Sequence, residues 1–309
     1  MKTLLFNSSS YGYLKMSMLS NYNFEDGQIE QKTFPDGERY HRILSEVNNR
    51  EVVIIGGSID DRETMELYDL ACAIVQGGAV SLTLAIPYFG YSTMERSVKS
   101  GEVVKAKTRA LLFSSIPKTS RGNRIVLMDL HTEGLPHYFE AGIRPVHLYC
   151  KPIIMEAAKE IGGNDFVLAS TDAGRAKWVE SLANDMNVSA AFVYKRRLSG
   201  SETQISGINA EVKGKHVIIY DDMIRTGGSL IEAAKAYRNA GAIRVSVITT
   251  HGIFAGNAIE KLKNSKVIDQ IVSTDTHPNA VALQNDFLHV KTVGELLAEN
   301  ILKNNNHDH

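Results

Sequence analysis

The stretch "HVIIYDDMIRTGGSLIEAA", residues 216–234, decides the fold because it joins an apolar run, two carboxylates, a loop of small residues and a helix start. The apolar run predicts a buried strand, and the apolar residues after Gly228 have helical spacing. Asp221 and Asp222 stand between them. This order is typical of α/β sheets, whose ligands bind beyond the carboxyl ends of the strands.

The loop between the carboxylates and the helix has the chemistry of a phosphate cradle. It consists of Arg225, Thr226, Gly227, Gly228 and Ser229. Glycines let backbone N–H groups approach an oxyanion, the helix start adds partial positive charge, and the two hydroxyls add donors. The loop lacks the lysine of a Walker A motif, and the preceding aspartates suit the vicinal hydroxyls of a ribose, or a metal. The alternative is an ordinary strand–turn–helix corner with solvated acids.

Apolar and β-branched runs alternate with helical segments along the whole chain, which predicts a mostly parallel sheet flanked by helices. The predicted strands are "TLLFN", "EVVIIGG", "VSLTLAIP", "RIVLMDL", "DFVLAST", "AAFVYK", "HVIIYDD", "RVSVITTHG" and "QIVSTD". The predicted helices are "DRETMELYDLACAIVQGG", "EVVKAKTRALLFSSI", "KPIIMEAAKEIGG", "RAKWVESLANDM", "SLIEAAKAYRNAGA" and "AGNAIEKLKNS".

The pattern occurs twice, which predicts two tandem domains of one α/β type. "MDLHTEG" and "YDDMIRTGG" follow strands at similar places in the two halves, and "HLYCKPIIMEA" turns from strand to helix near residue 150. We therefore expect domains at 1–149 and 150–309, with the last helix able to pack back on the first domain. No low-complexity linker separates the halves, so close packing of the two is expected.

Composition limits the function classes. The 309 residues carry a net charge of −1, so no global field favours nucleic acid or a membrane surface. No window approaches the roughly 18 apolar residues that a membrane span needs, and the N-terminal apolar run is too short for a signal peptide. Cys72 and Cys150 have no paired spacing and are expected to be reduced. These features predict a cytoplasmic protein.

Three further groups of residues have chemical potential. His131 and Asp172 each follow a predicted strand, and an imidazole and a carboxylate can share Mg²⁺, although a lone histidine is more often a structural residue. "YKRR" puts Lys195 and Arg197 at a strand end, either as a solvated turn or as part of a mobile loop that closes over a triphosphate. "TFPDGERY" predicts a turn with acidic residues.

Several motifs in a fixed order resemble the ribose-phosphate diphosphokinases, which make phosphoribosyl pyrophosphate. They are "TFPDGERYHRI", "AIPYFGY", "IVLMDLHTEG", "STDAGRAK", "YKRR", "IIYDDMIRTGGS", "ITTHGIFAGNAIEKLKNS" and "IVSTDTHP". The resemblance covers nearly the whole chain. It implies two tandem type I phosphoribosyltransferase-like domains, the first with a degenerate sugar site, assembled into a homo-oligomer, a dimer or a hexamer.

The resemblance also implies roles for the residues. Lys195 and Arg197 become the catalytic cations, and His131 and Asp172 become ligands of a Mg²⁺ that touches the phosphates of ATP, with His131 also binding the nucleotide. Three residues of the predicted turn hold the adenine, often across a subunit interface: Phe34, Asp36 and Glu38. Asp221, Asp222 and the 225–229 loop hold the sugar phosphate. Asp129 is expected to be structural.

Two departures from the family pattern carry information. The arginine and glutamine that usually help to bind ATP are replaced by Thr93 and Met94, and Arg96 is a partial substitute, with Lys99, Lys105 and Lys107 as further basic candidates. The phosphate loop begins with Arg225 where aspartate or serine is common. An arginine there suits an acceptor with a second phosphate, such as ADP-ribose; the alternative is that Arg225 points to solvent or to Asp221.

The resulting functional hypothesis is transfer of the pyrophosphoryl group of ATP to the anomeric hydroxyl of a ribose 5-phosphate-type acceptor, with Mg²⁺. The same chemistry on ADP-ribose is the alternative. Two rivals belong to other classes. A phosphoribosyltransferase would not need a second domain, "FPDGE" or the basic triplet, and a silent regulatory homologue would not need the retained candidate catalytic residues.

Overall fold

The chain forms two compact units, which we describe one at a time. The computed structural model describes residues 2–199, 202–208 and 211–305, without the side chains of 173, 194–199, 202–208, 304 and 305. The first unit comprises Met1–Tyr149 and Thr292–His309, and the second comprises Cys150–Lys291. The chain thus returns to its first unit after completing the second.

The first unit is built on a six-stranded parallel sheet with the order β2-β1-β5-β6-β7-β8. Its strands are β1 (Thr3–Asn7), β2 (Phe24–Asp26), β5 (Glu51–Ile55), β6 (Ser81–Ile86), β7 (Asn123–Met128) and β8 (Ile143–Leu148). A separate antiparallel hairpin joins β3 (Ile29–Thr33) to β4 (Arg39–Ile43). The helices are α1 (Gly12–Asn21), α2 (Asp61–Gln76), α3 (Lys105–Ser114) and the last helix of the chain, α9 (Gly294–Asn305), which lies against α1.

The second unit repeats this plan with the strand order β10-β9-β13-β14-β15-β16, again all parallel. These strands are β9 (Phe166–Ser170), β10 (Ser189–Ala191), β13 (His216–Ile224), β14 (Arg244–Gly252), β15 (Gln270–Thr274) and β16 (Leu288–Lys291). The hairpin here pairs β11 (Val193–Ser199) with β12 (Glu202–Ile208). The helices are α4 (Lys151–Gly162), α5 (Ala176–Met186), α6 (Gly228–Asn239), α7 (Ala258–Asn264) and α8 (Pro278–Ala282).

The shared strand order confirms the predicted fold of two parallel-sheet domains flanked by helices. In each sheet the chain first adds a strand on one side of its opening strand and then crosses to the other side. The crossing leaves a switch point between β1 and β5 in the first unit and between β9 and β13 in the second. Ligands of open α/β sheets bind at such points, so the topology marks two candidate locations.

The buried cores of the two units explain why apolar runs in the sequence predicted the strands. Every residue of β7 is buried, and so is every residue of β9, because helices cover both faces of a parallel sheet. In the second unit Tyr237 is fully buried on α6, and its hydroxyl donates to the Ser170 carbonyl at 2.9 Å. This bond satisfies a polar group in the core and holds α6 against the end of β9.

The structure departs from the predicted elements in specific places. "AAFVYK" is not one strand, because the chain leaves the main sheet after Ala191 and starts the β11–β12 hairpin at Val193. The helix α1 and the short strands β2 and β16 were not predicted, since the apolar residues of α1 have no clear helical period and the two strands have only three and four residues. Both cysteines are free thiols. Among the described residues, no helix is long and apolar enough to cross a membrane.

Candidate active site

The two aspartates of the opening stretch lie at the switch point of the second sheet. β13 carries Asp221 and Asp222 at its carboxyl end, beside the end of β9. The Thr171 hydroxyl, which follows β9, donates to Asp221 Oδ2 at 3.2 Å. Asp222 is buried and forms an ion pair with Arg175, whose Nη2 lies 2.5 Å from Asp222 Oδ2. The segment that follows β9 therefore contacts both aspartates.

The electrostatics of this pair are unusual. Burial, followed by the neighbouring Asp222 carboxylate, raises the pKa of Asp221 to about 7, against the smaller opposing effects of Thr171 and Arg175. Two carboxylates at one place resist being charged together. A cation or a set of ligand hydroxyls would relieve that repulsion, so the site is electrostatically prepared for one of them.

The loop after β13 is the one that the sequence predicts to be a phosphate cradle. Gly227 adopts φ +74°, in the left-handed region, and Gly228 starts α6. A Cβ atom at Gly227 would lie 2.8 Å from Leu262, so a side chain fits neither the backbone nor the space. Arg225 and Thr226 are exposed, and the Arg225 carbonyl accepts from the Ala255 N–H at 2.9 Å. The loop presents its helix N-terminus outward at the sheet edge, as an anion site requires.

Asp172 lies beside this cradle, at the start of the turn that leads into α5. The Gly174 N–H donates to Asp172 Oδ1 at 2.8 Å, and the Ser170 hydroxyl donates to the Asp172 carbonyl at 2.5 Å. The turn also delivers Arg175 to Asp222. One short segment therefore positions a partly exposed carboxylate and the cation that balances the buried one.

The predicted catalytic cations lie on the hairpin of the second unit. Lys195 pairs with Ile205 and Arg197 with Thr203 in the β11–β12 ladder, so both residues lie within a hairpin strand, at a place where a strand end was predicted. The side chains of both residues lie outside the described part of the structure. Their catalytic role stays a prediction.

The acidic turn in the first unit has the predicted position at the tip of the β3–β4 hairpin. The Phe34 N–H donates to the Glu38 carbonyl at 2.8 Å, and Asp36 Oδ1 accepts from the Glu38 N–H at 3.1 Å. All three side chains are exposed. The Phe34 ring meets Tyr40 edge-on, with centroids 6.3 Å apart. The turn thus offers an aromatic face and two carboxylates to a ligand.

A buried carboxylate anchors this hairpin, and the sequence analysis missed it. Glu66 on α2 pairs with Arg39 of β4 and accepts from the Ser9 N–H at 2.7 Å. Its side chain has no exposed surface. An open pocket of about 450 Å³ lies alongside, lined by Gly37, Arg39, His41, Arg62, Met65, Glu66 and Asp69. An acidic residue inside the apolar period of α2 was the available signal.

Residues 91–96, which contain the departures Thr93 and Met94 from the family pattern, begin at a tyrosine that is held by side-chain contacts. Tyr91 adopts φ +61°, its hydroxyl donates to Asp61 Oδ1 at 2.6 Å, and Lys105 Nζ lies 4.6 Å from its ring centroid. Met94 is exposed, and the Arg96 side chain is 79% exposed beside Glu95. Lys105 is therefore better placed than Arg96 to substitute for the arginine of the family pattern, because its ammonium already packs on the Tyr91 ring.

His131 lies on the turn after β7, and a side chain of the neighbouring strand β8 contacts this turn. Asp129 is buried and adopts φ +35°, and the Leu130 N–H donates to His147 Nε2 at 2.9 Å. Burial lowers the pKa of His147, which favours the neutral ring that can accept this bond. His131 and Asp172 lie in different units, and no group of three or more potential ligands occurs among the described residues.

The switch point of the first unit is closed by side chains. The strand β5 is followed by Gly56, Gly57 and Ser58 rather than by aspartates. A Cβ atom at Gly57 would lie 2.2 Å from the hydroxyl of Tyr11, which is fully buried. The site equivalent to the Asp221–Asp222 location therefore lacks the carboxylate pair, and the Tyr11 side chain packs closely against Gly57 there.

Comparison with known proteins gives one family match in each half of the chain. The second unit has a carboxylate pair followed by a glycine loop at a helix start, while the first unit presents the acidic turn. Residues 3–116 match the model of the N-terminal domain of ribose phosphate pyrophosphokinase, and residues 169–309 match the phosphoribosyl synthetase-associated domain.

Relatives that match nearly the whole chain are named ribose-phosphate pyrophosphokinases. The chain is 30% identical to a ribose-phosphate pyrophosphokinase of Chromobacterium violaceum over 99% of this chain and 92% of that protein. It is 32% identical to one of Caldanaerobacter subterraneus, over 97% and 93%. A phosphoribosylpyrophosphate synthetase from Mycobacterium smegmatis has the same fold, with a TM-score of 0.87, 23% identity, and coverage of 99% of this chain and 100% of that one. The chain belongs to the ribose-phosphate pyrophosphokinase family of enzymes.

Proposed function

We propose that the chain transfers the pyrophosphoryl group of ATP to the anomeric hydroxyl of a ribose that bears a 5′-phosphate. The hydroxyl oxygen bonds to the β-phosphorus, and the bond from that phosphorus to the oxygen shared with the α-phosphate breaks. AMP leaves with the electron pair, and the hydroxyl proton passes to solvent. The products are AMP and a 1-pyrophosphate sugar. Such a transfer needs positioned charge rather than a protein nucleophile.

The observation that carries this proposal is the Asp221–Asp222 pair directly before the glycine loop, at the switch point of the second sheet. Carboxylates accept hydrogen bonds from the vicinal hydroxyls of a ribose. The N–H groups of the loop, with Thr226 and Ser229, donate to the 5′-phosphate. The strand β13 carries the aspartates and leads directly into the loop, so one rigid element would set the distance between the two ends of the sugar.

The nucleotide side of the proposal rests on the resemblance as well as on the acidic turn. Phe34 would stack on the adenine, while Asp36 and Glu38 would accept from its amino group and ribose. In the family this turn often serves a neighbouring subunit, so we include a homo-oligomer in the proposal. Lys195 and Arg197 would offset the charge that grows on the transferring group.

Mg²⁺ is the metal that the family generally uses, and the donors fit it. Asp172 offers a partly exposed carboxylate, and a nearby cation would relieve the repulsion that helps to raise the pKa of Asp221. Mg²⁺ in such sites is held by one or two carboxylates together with substrate phosphates and water, which agrees with the lack of a larger ligand cluster among the described residues. Asp172 and His131 are the proposed ligands. When bound, the ion would neutralise phosphate charge.

Product analysis tests the proposal. Incubation with ATP, Mg²⁺ and ribose 5-phosphate should yield AMP and the sugar pyrophosphate in equal amounts. Asp222→Asn should lower kcat/KM for the sugar by at least tenfold, while Asp286→Asn, at an exposed position of the same unit, should not. A phosphoribosyltransferase would form no AMP from ATP, and a silent homologue would form no product.

ADP-ribose is the second candidate acceptor, and two cations at the cradle favour it. Arg225 opens the loop and is exposed, and Lys261 Nζ lies 3.9 Å from where a Cβ atom of Gly228 would stand. The loop alone serves a single phosphate. Additional cations suit an acceptor with a 5′-diphosphate, because guanidinium binds phosphate oxygens bidentately.

The substitution Arg225→Asp separates the two acceptors. If the acceptor has one phosphate, activity should stay the same or rise. If it has two, the change removes a charge-assisted hydrogen bond of about 1.5–3 kcal/mol, which is roughly a 10- to 150-fold loss at about 1.4 kcal/mol per decade. The measurement is the ratio of AMP formation on ADP-ribose to that on ribose 5-phosphate. An unchanged ratio would remove the diphosphate hypothesis without affecting the proposed reaction.

A further inference from the structure

A buried hydroxyl without a hydrogen-bond partner among the described residues lies on the strand next to Asp221. It is the hydroxyl of Thr249 on β14, whose side chain is 0% exposed. The parallel ladder between β13 and β14 places Thr249 directly across from Asp221. Buried side-chain hydroxyls are nearly always paired in folded proteins. An unpaired one beside a candidate site residue therefore points to a partner that it gains in another state of the site.

Thr249 and Asp221 lie on the same face of the second sheet. Ile219 and Val247, two positions before them on the same strands, belong to one apolar cluster that includes residues of α6. Side chains alternate between the two faces along a strand, so Asp221 and Thr249 continue this face toward the carboxyl ends. Neighbouring strands are about 4.8 Å apart. A hydroxyl and a carboxylate at paired positions can therefore come within hydrogen-bond distance.

Asp221 already accepts from a hydroxyl on its other side. Thr171, directly after β9, donates to Asp221 Oδ2 at 3.2 Å. The row across the sheet thus has a threonine on each side of the aspartate, and only Thr171 uses its hydroxyl on Asp221 in the free protein. The backbone of Thr249 is held in the ladder by β13 and β15. Because χ1 has three staggered wells, rotation about one bond can turn the Thr249 hydroxyl toward Asp221.

The need for a second donor depends on the charge of Asp221. Burial and the neighbouring Asp222 carboxylate raise the pKa of Asp221 to about 7, and Arg175 opposes this only in part. A protonated carboxyl group carries its own O–H, whereas a carboxylate only accepts and has positions for several donors. On the β14 side the paired residue is the neutral Thr249, so its hydroxyl is the donor that this strand supplies.

We propose that Thr249 is a positioning residue for Asp221, and that its hydroxyl donates to the Asp221 carboxylate when that group is charged and receives the hydroxyls of the sugar. Donors from both sides of β13 then hold the carboxylate in one orientation, as a preorganised binding group requires. The role toward the sugar rests on the proposed function. The hydrogen bond between Thr249 and Asp221 does not.

Thr249→Val replaces the hydroxyl by a methyl group of similar size and tests the hydrogen bond without substrate. Urea unfolding, followed by Trp178 fluorescence in metal-free buffer, is measured at about pH 5 and about pH 8.5, on either side of the Asp221 pKa of about 7. At the lower pH the variant should be as stable as the wild type or more stable, because an unpaired buried hydroxyl is removed.

At the higher pH the unfolding equilibrium constant of Thr249→Val should exceed that of the wild type by about tenfold or more, the loss expected for a hydrogen bond to a charged group. The sign follows from linkage: losing a donor to the charged form raises the folded pKa of Asp221 further, so the difference appears only as the pH rises through about 7. The same difference at both pH values would overturn the proposal.

Two further variants separate this effect from packing. Thr249→Ser keeps the hydroxyl and loses a methyl group, so its effect on stability should be equal at both pH values. Thr274→Val is the matched control, because the Thr274 side chain is also buried and its hydroxyl donates to a neutral acceptor, the Thr250 carbonyl, at 2.6 Å. It should lower stability by the same factor at both pH values. A pH-dependent loss in Thr274→Val as large as that in Thr249→Val would also overturn the proposal.

Kinetics on ribose 5-phosphate test the positioning role. Thr249→Val should raise KM for the sugar about tenfold with kcat nearly unchanged, because Asp221 would bind the sugar hydroxyls equally in the ground and transition states. Thr249→Ser should restore the wild-type KM. An unchanged KM in Thr249→Val would overturn the positioning role. If the wild type forms no AMP, the proposed function fails, whereas the unfolding data still decide whether Thr249 donates to Asp221.

Discussion

At the residue scale, the aspartate pair makes the stability of the second unit depend on pH. The folded pKa of Asp221, about 7, is above its unfolded value. The favourable contribution of the protonated form is therefore complete below about pH 4 and is lost as the pH rises through about 7. Two mutually repelling groups at one place are a cost to the free protein, which agrees with the proposed binding of a ligand by the pair.

The substitution Asp221→Asn should remove this dependence. We expect the variant to be more stable than the wild type by about 2–4 kcal/mol at pH 8, given roughly 1.4 kcal/mol per pKa unit, with the difference vanishing near pH 4. Urea unfolding in metal-free buffer measures it. Trp178, the single tryptophan, stacks on Tyr220 with centroids 4.3 Å apart and reports the second unit. A constant difference across pH would contradict the assignment, and Asp286→Asn is the control.

Substitution of Lys195 tests its proposed role in stabilising the charge of the transition state. Lys195→Ala should lower kcat by two orders of magnitude or more and change the Kd of ATP only modestly, because its charge is needed where charge develops. Rapid-quench kinetics and equilibrium ATP binding give the two numbers. Arg196 lies between Lys195 and Arg197 in the ladder, so Arg196→Ala is the matched control. An unchanged kcat would remove the hairpin from the mechanism.

At the element scale, the loop before α6 depends on one backbone conformation. Gly227→Ala combines a left-handed φ with a contact of 2.8 Å to Leu262, and should cost about 1–3 kcal/mol. Gly228→Ala is the matched control, since its Cβ atom would meet only Lys261 Nζ at 3.9 Å. Trp178 fluorescence during urea unfolding compares the two. Equal stabilities would show that the loop adapts without strain.

The sequence predicted the elements whose signals are local. β13 and α6 followed from an apolar run, two glycines and a helical period, and the Asp221–Asp222 location followed from the rule for parallel sheets. The pairing of Arg175 with Asp222 and that of Arg39 with Glu66 could not be predicted, because each joins residues far apart in the chain through tertiary packing. The break after Ala191 was missed because the apolar run continues through it, and only the competing hairpin partner ends the strand.

At the scale of the whole molecule, α9 links the end of the chain to the first unit. Leu297 and Ile301 are fully buried there. Leu297→Ala should destabilise the first unit by about 2–5 kcal/mol through the cavity it leaves. The transition seen by circular dichroism should move to lower urea, while the Trp178 transition stays in place. Lys303→Ala, on an exposed position of α9, is the control. A parallel shift of both transitions would indicate that the units unfold together.

The position of α9 has a consequence for synthesis on the ribosome. The helix that completes the first unit is translated only after all of residues 150–291. The first unit therefore waits, with the Leu297 and Ile301 contact surface uncovered, during roughly 140 further residues, which is about 7–28 s at 5–20 residues per second. The second unit needs no such wait. The edge strand β16 completes its sheet as soon as that strand leaves the exit tunnel. We therefore expect the later half of the nascent chain to finish folding before the earlier half.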